Sequence, residues 1–214
     1  MNTNPLAKTV LCFGDSNTWG QKPDKSERFG ADERWTGLLQ QALGDDYYVI
    51  EEGLNSRTTD LEYTPRPGRN GSTYLLPCLD SHRPLDNVIL MLGTNDLKTA
   101  FGRSAPAIAA ALGRLVKIIR ERTALADGSS AKVILVSPIL IDSAARHFAE
   151  FYSDIYELEA AEKSKQLAPE VQKVAQSSGC SFVDAASVAS PGEDSLHLDR
   201  NGHRGLAELL RTAV

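Results

Sequence analysis

"DNVILMLG", residues 86–93, decides the class of fold. Val88 to Leu92 are apolar without a break, and the run ends on Gly93. A strand with one wet face alternates apolar and polar residues, whereas an unbroken run bounded by turn signals suits a strand buried on both faces. "KTVLCFG" (8–14) and "AKVILVSP" (131–138) repeat the pattern, and "YYVIEEG" (47–53) and the shorter "CSFVDA" (180–185) complete a set of five. Helical patterns lie between them. Trp35, Leu38, Leu39 and Leu43 share one face over 33–43, and Ile108, Leu112, Leu115 and Ile119 form a stripe in the segment that begins at Ala105. A long amphipathic segment from about 148 to 177 is expected to kink or divide at Pro169, and a last helix runs from near Asn201 to Thr212. Strand and helix in alternation predict one α/β domain over residues 1–214, with a parallel sheet covered on both faces.

Composition narrows the function. Hydrophobic residues make up 42% of the 214 and charged residues 24%, as in an ordinary globular protein. A net charge of −5 with scattered basic residues argues against a nucleic-acid partner, which requires a basic face. No apolar run approaches the ~20 residues of a membrane span, and the first apolar stretch leads directly into a glycine turn. The expectation is therefore a cytoplasmic protein with no membrane partner. Cys12, Cys78 and Cys180 are odd in number and lack metal-ligand spacing, so they read as free thiols in a reducing compartment.

Ligands of open α/β sheets bind beyond the carboxyl ends of the strands. Gly14-Asp15-Ser16 follows the first strand, Gly53-Leu54-Asn55 the second and Gly93-Thr94-Asn95-Asp96 the third. Asp194 and His197 lie in "GEDSLHLD", downstream of the fifth. These are parts that acyl transfer needs. A serine hydroxyl is a weak nucleophile until a base takes its proton, and a carboxylate on the far ring nitrogen holds the basic histidine in one tautomer. The spacing of Asp194 and His197 lets a single turn join them. The backbone N–H groups of Ser16 and Gly53, with the Asn95 amide, could form an oxyanion hole, and glycine at 53 would let substrate approach the backbone closely. Each piece alone has an ordinary alternative: a Gly-Asp-Ser turn, a surface Asp-x-x-His, or a helix cap at 94–96, with Asp96 capping or bonding to the Ser16 turn.

Together, "FGDSNTWG", "EEGLNSRTT", "MLGTNDLK" and "DSLH" resemble the four motif blocks of the SGNH, or GDSL-type, hydrolases, in order and across the whole chain. Thr18-Trp19-Gly20, Arg57-Thr58-Thr59, Gly93 to Lys98, Arg34-Trp35, His82 and Pro84 also resemble the bacterial arylesterase and acyltransferase-perhydrolase branch. The resemblance implies a flavodoxin-like three-layer α/β/α sandwich with a five-stranded parallel sheet. It implies ester hydrolysis through an acyl-enzyme, with Ser16 as nucleophile, His197 as base and Asp194 as its partner. An oxyanion hole of Ser16, Gly53 and Asn95, no metal or other cofactor, and a homo-oligomer acting on a small-molecule ester follow from it too. Asn17 stands where the family name has Leu. Asn17, Trp19, Arg57 and Lys98 are candidates for the substrate pocket. Trp19 reads equally as core, and Arg57 as a brace for the backbone of the polar irregular stretch 53–73, a loop long enough to be functional. His203 competes with His197 for the base but has Arg200, not a carboxylate, three residues before it, and His82 reads as structural. Phe148, Phe151 and Tyr152 read as core, subunit contact or pocket lip. A carbohydrate acetylesterase, a thioesterase or lysophospholipase, and a binding module without catalysis are the alternatives. The last is disfavoured because no phosphate-binding glycine motif follows a strand.

Overall fold

The computed structural model describes residues 2–214. Five strands form one parallel sheet: β1 (Lys8–Gly14), β2 (Tyr47–Gly53), β3 (Asn87–Met91), β4 (Lys132–Ser137) and β5 (Ser181–Asp184). The helices are α1 (Ser16–Trp19), α2 (Trp35–Leu43), α3 (Gly71–His82), α4 (Ala105–Thr123), α5 (Phe148–Tyr152), α6 (Glu159–Ser177) and α7 (Arg200–Arg211).

Alternation along the buried strands sorts side chains to two faces. Leu11, Phe13, Val88, Leu90, Val133 and Leu135 pack with Leu75, Leu79, Leu112, Leu115, Ile119 and Val171, which come from α3, α4 and α6. Val10, Cys12, Ile89, Met91, Ile134 and Val136 pack with Trp35, Leu39, Leu206 and Leu210 from α2 and α7. The result is a three-layer α/β/α sandwich, as the strand patterns predict.

The strand order is β2-β1-β3-β4-β5. The chain leaves β1 toward one edge of the sheet and later returns to place β3 on its other side. This topological switch opens a crevice between the carboxyl ends of β1 and β3, the position where doubly wound sheets bind ligands. Ser16 follows β1 and Asn95 follows β3, so they flank it.

The expected division at Pro169 is incorrect. α6 runs through Pro169, whose missing N–H forfeits one bond while Ala160, Ala161, Leu167, Val171 and Ala175 keep the helix face buried. The break falls between Tyr152 and Glu159. There the Ile155 carbonyl leaves the helical ladder to accept from Thr99 N–H at 2.9 Å.

Candidate active site

Asp15 caps α1, its carboxylate accepting from Asn17 N–H at 3.0 Å. This tight start puts Ser16 at the first helical position beside the switch point. Two glycines make the geometry possible. A Cβ on Gly14 would sit 2.0 Å from Thr18 Oγ1, and one on Gly53 would sit 2.2 Å from the backbone nitrogen of Trp19. Gly53 pairs with Gly14 at the end of the β1–β2 ladder. Its lack of a side chain therefore admits the α1 backbone, a different role from admitting substrate.

His197 Nε2 lies 2.8 Å from Ser16 Oγ, and its Nδ1 lies 2.5 Å from Asp194 Oδ2. Asp194 is fully buried. Its Oδ1 accepts from the backbone N–H groups of Leu196 and His197, at 3.1 and 3.0 Å, and its Oδ2 accepts from the Tyr152 hydroxyl at 3.0 Å. Burial alone would raise the Asp194 carboxyl. The bond to His197, its charge and the backbone donors overcome that and hold the group below the ordinary carboxylate value. Ser195, with φ of 74°, supplies the sharp turn that folds the carboxylate back on the imidazole. Burial first, and then the Asp194 charge, push the Tyr152 phenol up, which keeps it a donor.

Asn95 sits in a 3₁₀ turn, Thr94–Leu97, and its side-chain nitrogen is 3.3 Å from Asp15 Oδ2. Asp96 neither caps this turn nor reaches the Ser16 turn. Its buried carboxylate accepts from Thr59 N–H at 3.0 Å, Thr59 Oγ1 at 2.5 Å and Arg103 Nη1 at 2.8 Å, fastening the long 54–70 loop to the sheet.

A cavity of about 350 Å³ opens onto Ser16 and His197, within the range of small-molecule sites. Asn95, Thr94, Lys98, Tyr152 and Leu196 line it, with Asn55, Ser56, Tyr63 and Arg66 from the long loop. Of the four pocket candidates only Lys98 is there. Trp19 lies outside the lining, and its carbonyl accepts from Arg28 Nε at 2.5 Å. Arg57 is buried under the sheet end, where its Nη1 donates to the carbonyls of Gly14 and Glu52 and its guanidinium stacks 4.1 Å from the Phe13 ring.

Asn17 is also outside the cavity, and its task is different. Its Nδ2 donates to the Leu196 carbonyl at 3.1 Å while its Oδ1 accepts from Leu198 N–H at 2.8 Å. The amide thus grips the backbone on both sides of His197, which a leucine cannot do. Asn17→Leu strands two buried backbone groups, each costing about 1–3 kcal/mol. That is a loss of stability; separately, the loosened His197 is expected to lower kcat on p-nitrophenyl acetate roughly 10- to 100-fold with KM little changed, a rise in barrier of about 1.4–2.8 kcal/mol. Steady-state kinetics of the purified variant measure this, and an unchanged kcat would show that the grip is dispensable.

Residue types and spacing indicated Ser16, Asn95, Asp194 and His197. They did not reveal the bond from Tyr152 or the cavity positions of Tyr63 and Arg66. The aromatic cluster at 148–152 and the length of the loop were the only signals. Among the described residues, Glu52, Cys78 and His82 place possible ligand atoms within 4.8 Å of one another. They are poor material for an ion site. His82 Nε2 lies 2.8 Å from Glu52 Oε1, Tyr74 donates to the other oxygen, and burial followed by the Glu52 charge pushes the Cys78 thiol up to about 12.

Residues 12–204 match the model of the GDSL-like lipase/acylhydrolase family. The chain belongs to that family. It is a carboxylic ester hydrolase, and solved structures agree. The native aryl esterase of M. smegmatis is 39% identical and superposes with a TM-score of 0.86, over 97% of this chain and 100% of that one. Est24, a carbohydrate acetylesterase from Sinorhizobium meliloti, is 37% identical with a TM-score of 0.86, over 96% and 97% of the two chains. No curated protein matches. No helix among the described residues is long and apolar enough to cross a membrane.

Proposed function

We propose that this GDSL-family hydrolase is a serine esterase for short acyl esters, with Ser16 as nucleophile, His197 as base, Asp194 as its orienting partner and no metal or other cofactor. The single observation that carries this reading is the imidazole bridging Ser16 Oγ at 2.8 Å and Asp194 Oδ2 at 2.5 Å. His197 takes the hydroxyl proton as Ser16 attacks the carbonyl carbon. The new oxyanion is met by donors at the helix start and the Asn95 amide, with Gly53 N–H as the third candidate. The protonated imidazole then protonates the departing alcohol, leaving an acyl-serine. Water, activated by the same imidazole, releases the acid. An alcohol entering instead of water would give acyl transfer through the same intermediate.

Cavity size supports short acyl groups, since about 350 Å³ must hold both halves of the ester. kcat/KM across p-nitrophenyl acetate, butyrate, octanoate and palmitate is expected to fall steeply beyond butyrate. A maximum at octanoate or longer would favour the lysophospholipase alternative. Gln21, Asn55, Ser56 and Thr94 give the cavity a polar lining that also suits an acetylated sugar, and the acetylesterase activity named for Est24 lends that second reading weight. Acetate release from acetylated xylose tests it. Cys12 and Cys78 are buried free thiols, which supports a reducing, cytoplasmic setting.

A further inference from the structure

Three cations line the cavity: Lys25, Arg66 and Lys98. None of the other lining residues is Asp or Glu, although the chain carries 28 acidic against 23 basic residues. Elsewhere near this end of the sheet Arg28 and Arg34 pair with Glu51, Arg103 pairs with Asp60 and Asp96, and Arg57 is spent on the carbonyls of Gly14 and Glu52. By contrast, no ion pair within 4.0 Å involves Lys25, Arg66 or Lys98 among the described residues. Lys98 is the sharpest case. It is 5% exposed, and its ammonium lies 3.9 Å from the centre of the Tyr63 ring. Lys25 is exposed, with its ammonium 3.8 and 4.2 Å from the centres of the Phe151 and Tyr152 rings and the charges of Asp194 and Glu150 nearby. Arg66 makes one long bond, 3.4 Å to Ser56 Oγ.

A ring face only partly replaces the water stripped from a buried ammonium. The nearest carboxylates behind the cavity wall are already committed, Asp15 to Asn17 N–H and Asn95, and Asp96 to Thr59 and Arg103. Burial first, and the neighbouring Arg66 charge second, pull the Lys98 ammonium down to about 8, against the opposing pull of Asp15 and Asp96. An anion in the cavity would offset both effects.

We propose that the site takes esters bearing a carboxylate, held by Lys98 and Arg66 with Lys25 beside them. This deepens the serine-esterase reading and rests on it. The carboxylate can belong to the acyl half, as in the half-ester of a dicarboxylic acid, or to the alcohol half, as in an acetylated hydroxy acid.

Two matched pairs separate these cases. Monoethyl succinate is compared with ethyl levulinate, its neutral near-isostere, and 4-acetoxybenzoate with 4-acetoxybenzamide; the ethyl leaving group keeps the succinate carboxylate from attacking its own ester. Each kcat/KM is normalised to spontaneous hydrolysis. At low ionic strength the anionic member of at least one pair is expected to lead by about tenfold, and the lead should shrink as salt screens it. The pair that responds identifies the half that carries the charge. Arg66→Gln and Lys98→Met should each lower the anionic-to-neutral ratio severalfold. Arg66 is exposed, so its variant provides a test even if replacing the buried Lys98 side chain perturbs folding. Equal turnover of both members in both pairs, or a neutral lead in both, overturns the proposal while leaving the esterase reading intact. Inert esters throughout would instead overturn the esterase reading.

Discussion

Ser16→Ala is expected to lower kcat on p-nitrophenyl acetate by on the order of 10⁴-fold or more, and His197→Ala to do the same. On the proposed mechanism the two side chains act as one device. Without Oγ there is no acyl-enzyme for the imidazole to serve. Without the imidazole, Oγ keeps its proton and remains a poor nucleophile. The double variant should therefore be no slower than the worse single variant, a non-additivity that independent contributions would not produce. What activity persists comes from the oxyanion donors and binding alone. The fold should survive, because the single hydrogen bond of Ser16 Oγ is to His197 and circular dichroism reads only the sandwich. A Ser16→Ala protein with wild-type turnover would remove Ser16 from the chemistry. Additive losses would show that His197 does something other than activate it.

How much of this was legible from the sequence differs by element. The inner strands were readable because burial on both faces leaves few polar positions to confuse the pattern, as at Val88 to Leu92. Ser16, Gly53 and Asn95 were readable because each lies at or just beyond the carboxyl end of a strand, so local chain order fixes where they lie. Asn17 shows the limit. Its polarity marked a departure from the family name, but its partners, the backbone of Leu196 and Leu198, lie about 180 residues away. No local pattern reports such a bond. Gly53 was noticed for the wrong reason, since the space it leaves is filled by α1 backbone. The break after Tyr152 was misplaced for a similar cause: a carbonyl of the 153–158 segment is claimed by Thr99, which only the folded chain brings near.

His203 should make the protein lose stability in acid, and the same burial favours the proposed assignment of His197 as the base. It is fully buried, its Nδ1 accepts from Trp35 N–H at 3.1 Å, and the edge of its ring meets Phe29. The acceptor role puts the single ring proton on Nε2. A second proton would have to go on Nδ1, facing the N–H it now accepts from, and would cost α2 the bond at its first residue. Burial first, then the charges of His197 and Arg34, pull the group down to about 3, whereas an unfolded histidine titrates near ~6.5. Between those values the unfolded chain holds a proton that the folded chain refuses. Stability therefore falls as pH falls, by about 1.4 kcal/mol per pH unit from this group. Asp96, raised to about 6 by burial despite its bonds to Thr59 and Arg103, acts in the opposite sense, because its folded form takes up a proton first. The two are separated by comparing wild type with His203→Gln, whose side-chain oxygen can still accept from Trp35 and cannot titrate. Urea unfolding at pH 6.5 and 4.5 should show wild type losing about 2 kcal/mol more than the variant over that interval, since the unfolded histidine is already half protonated at pH 6.5. Parallel losses would mean that His203 is protonated in the folded state, and the bond to Trp35 would then have to be reassigned.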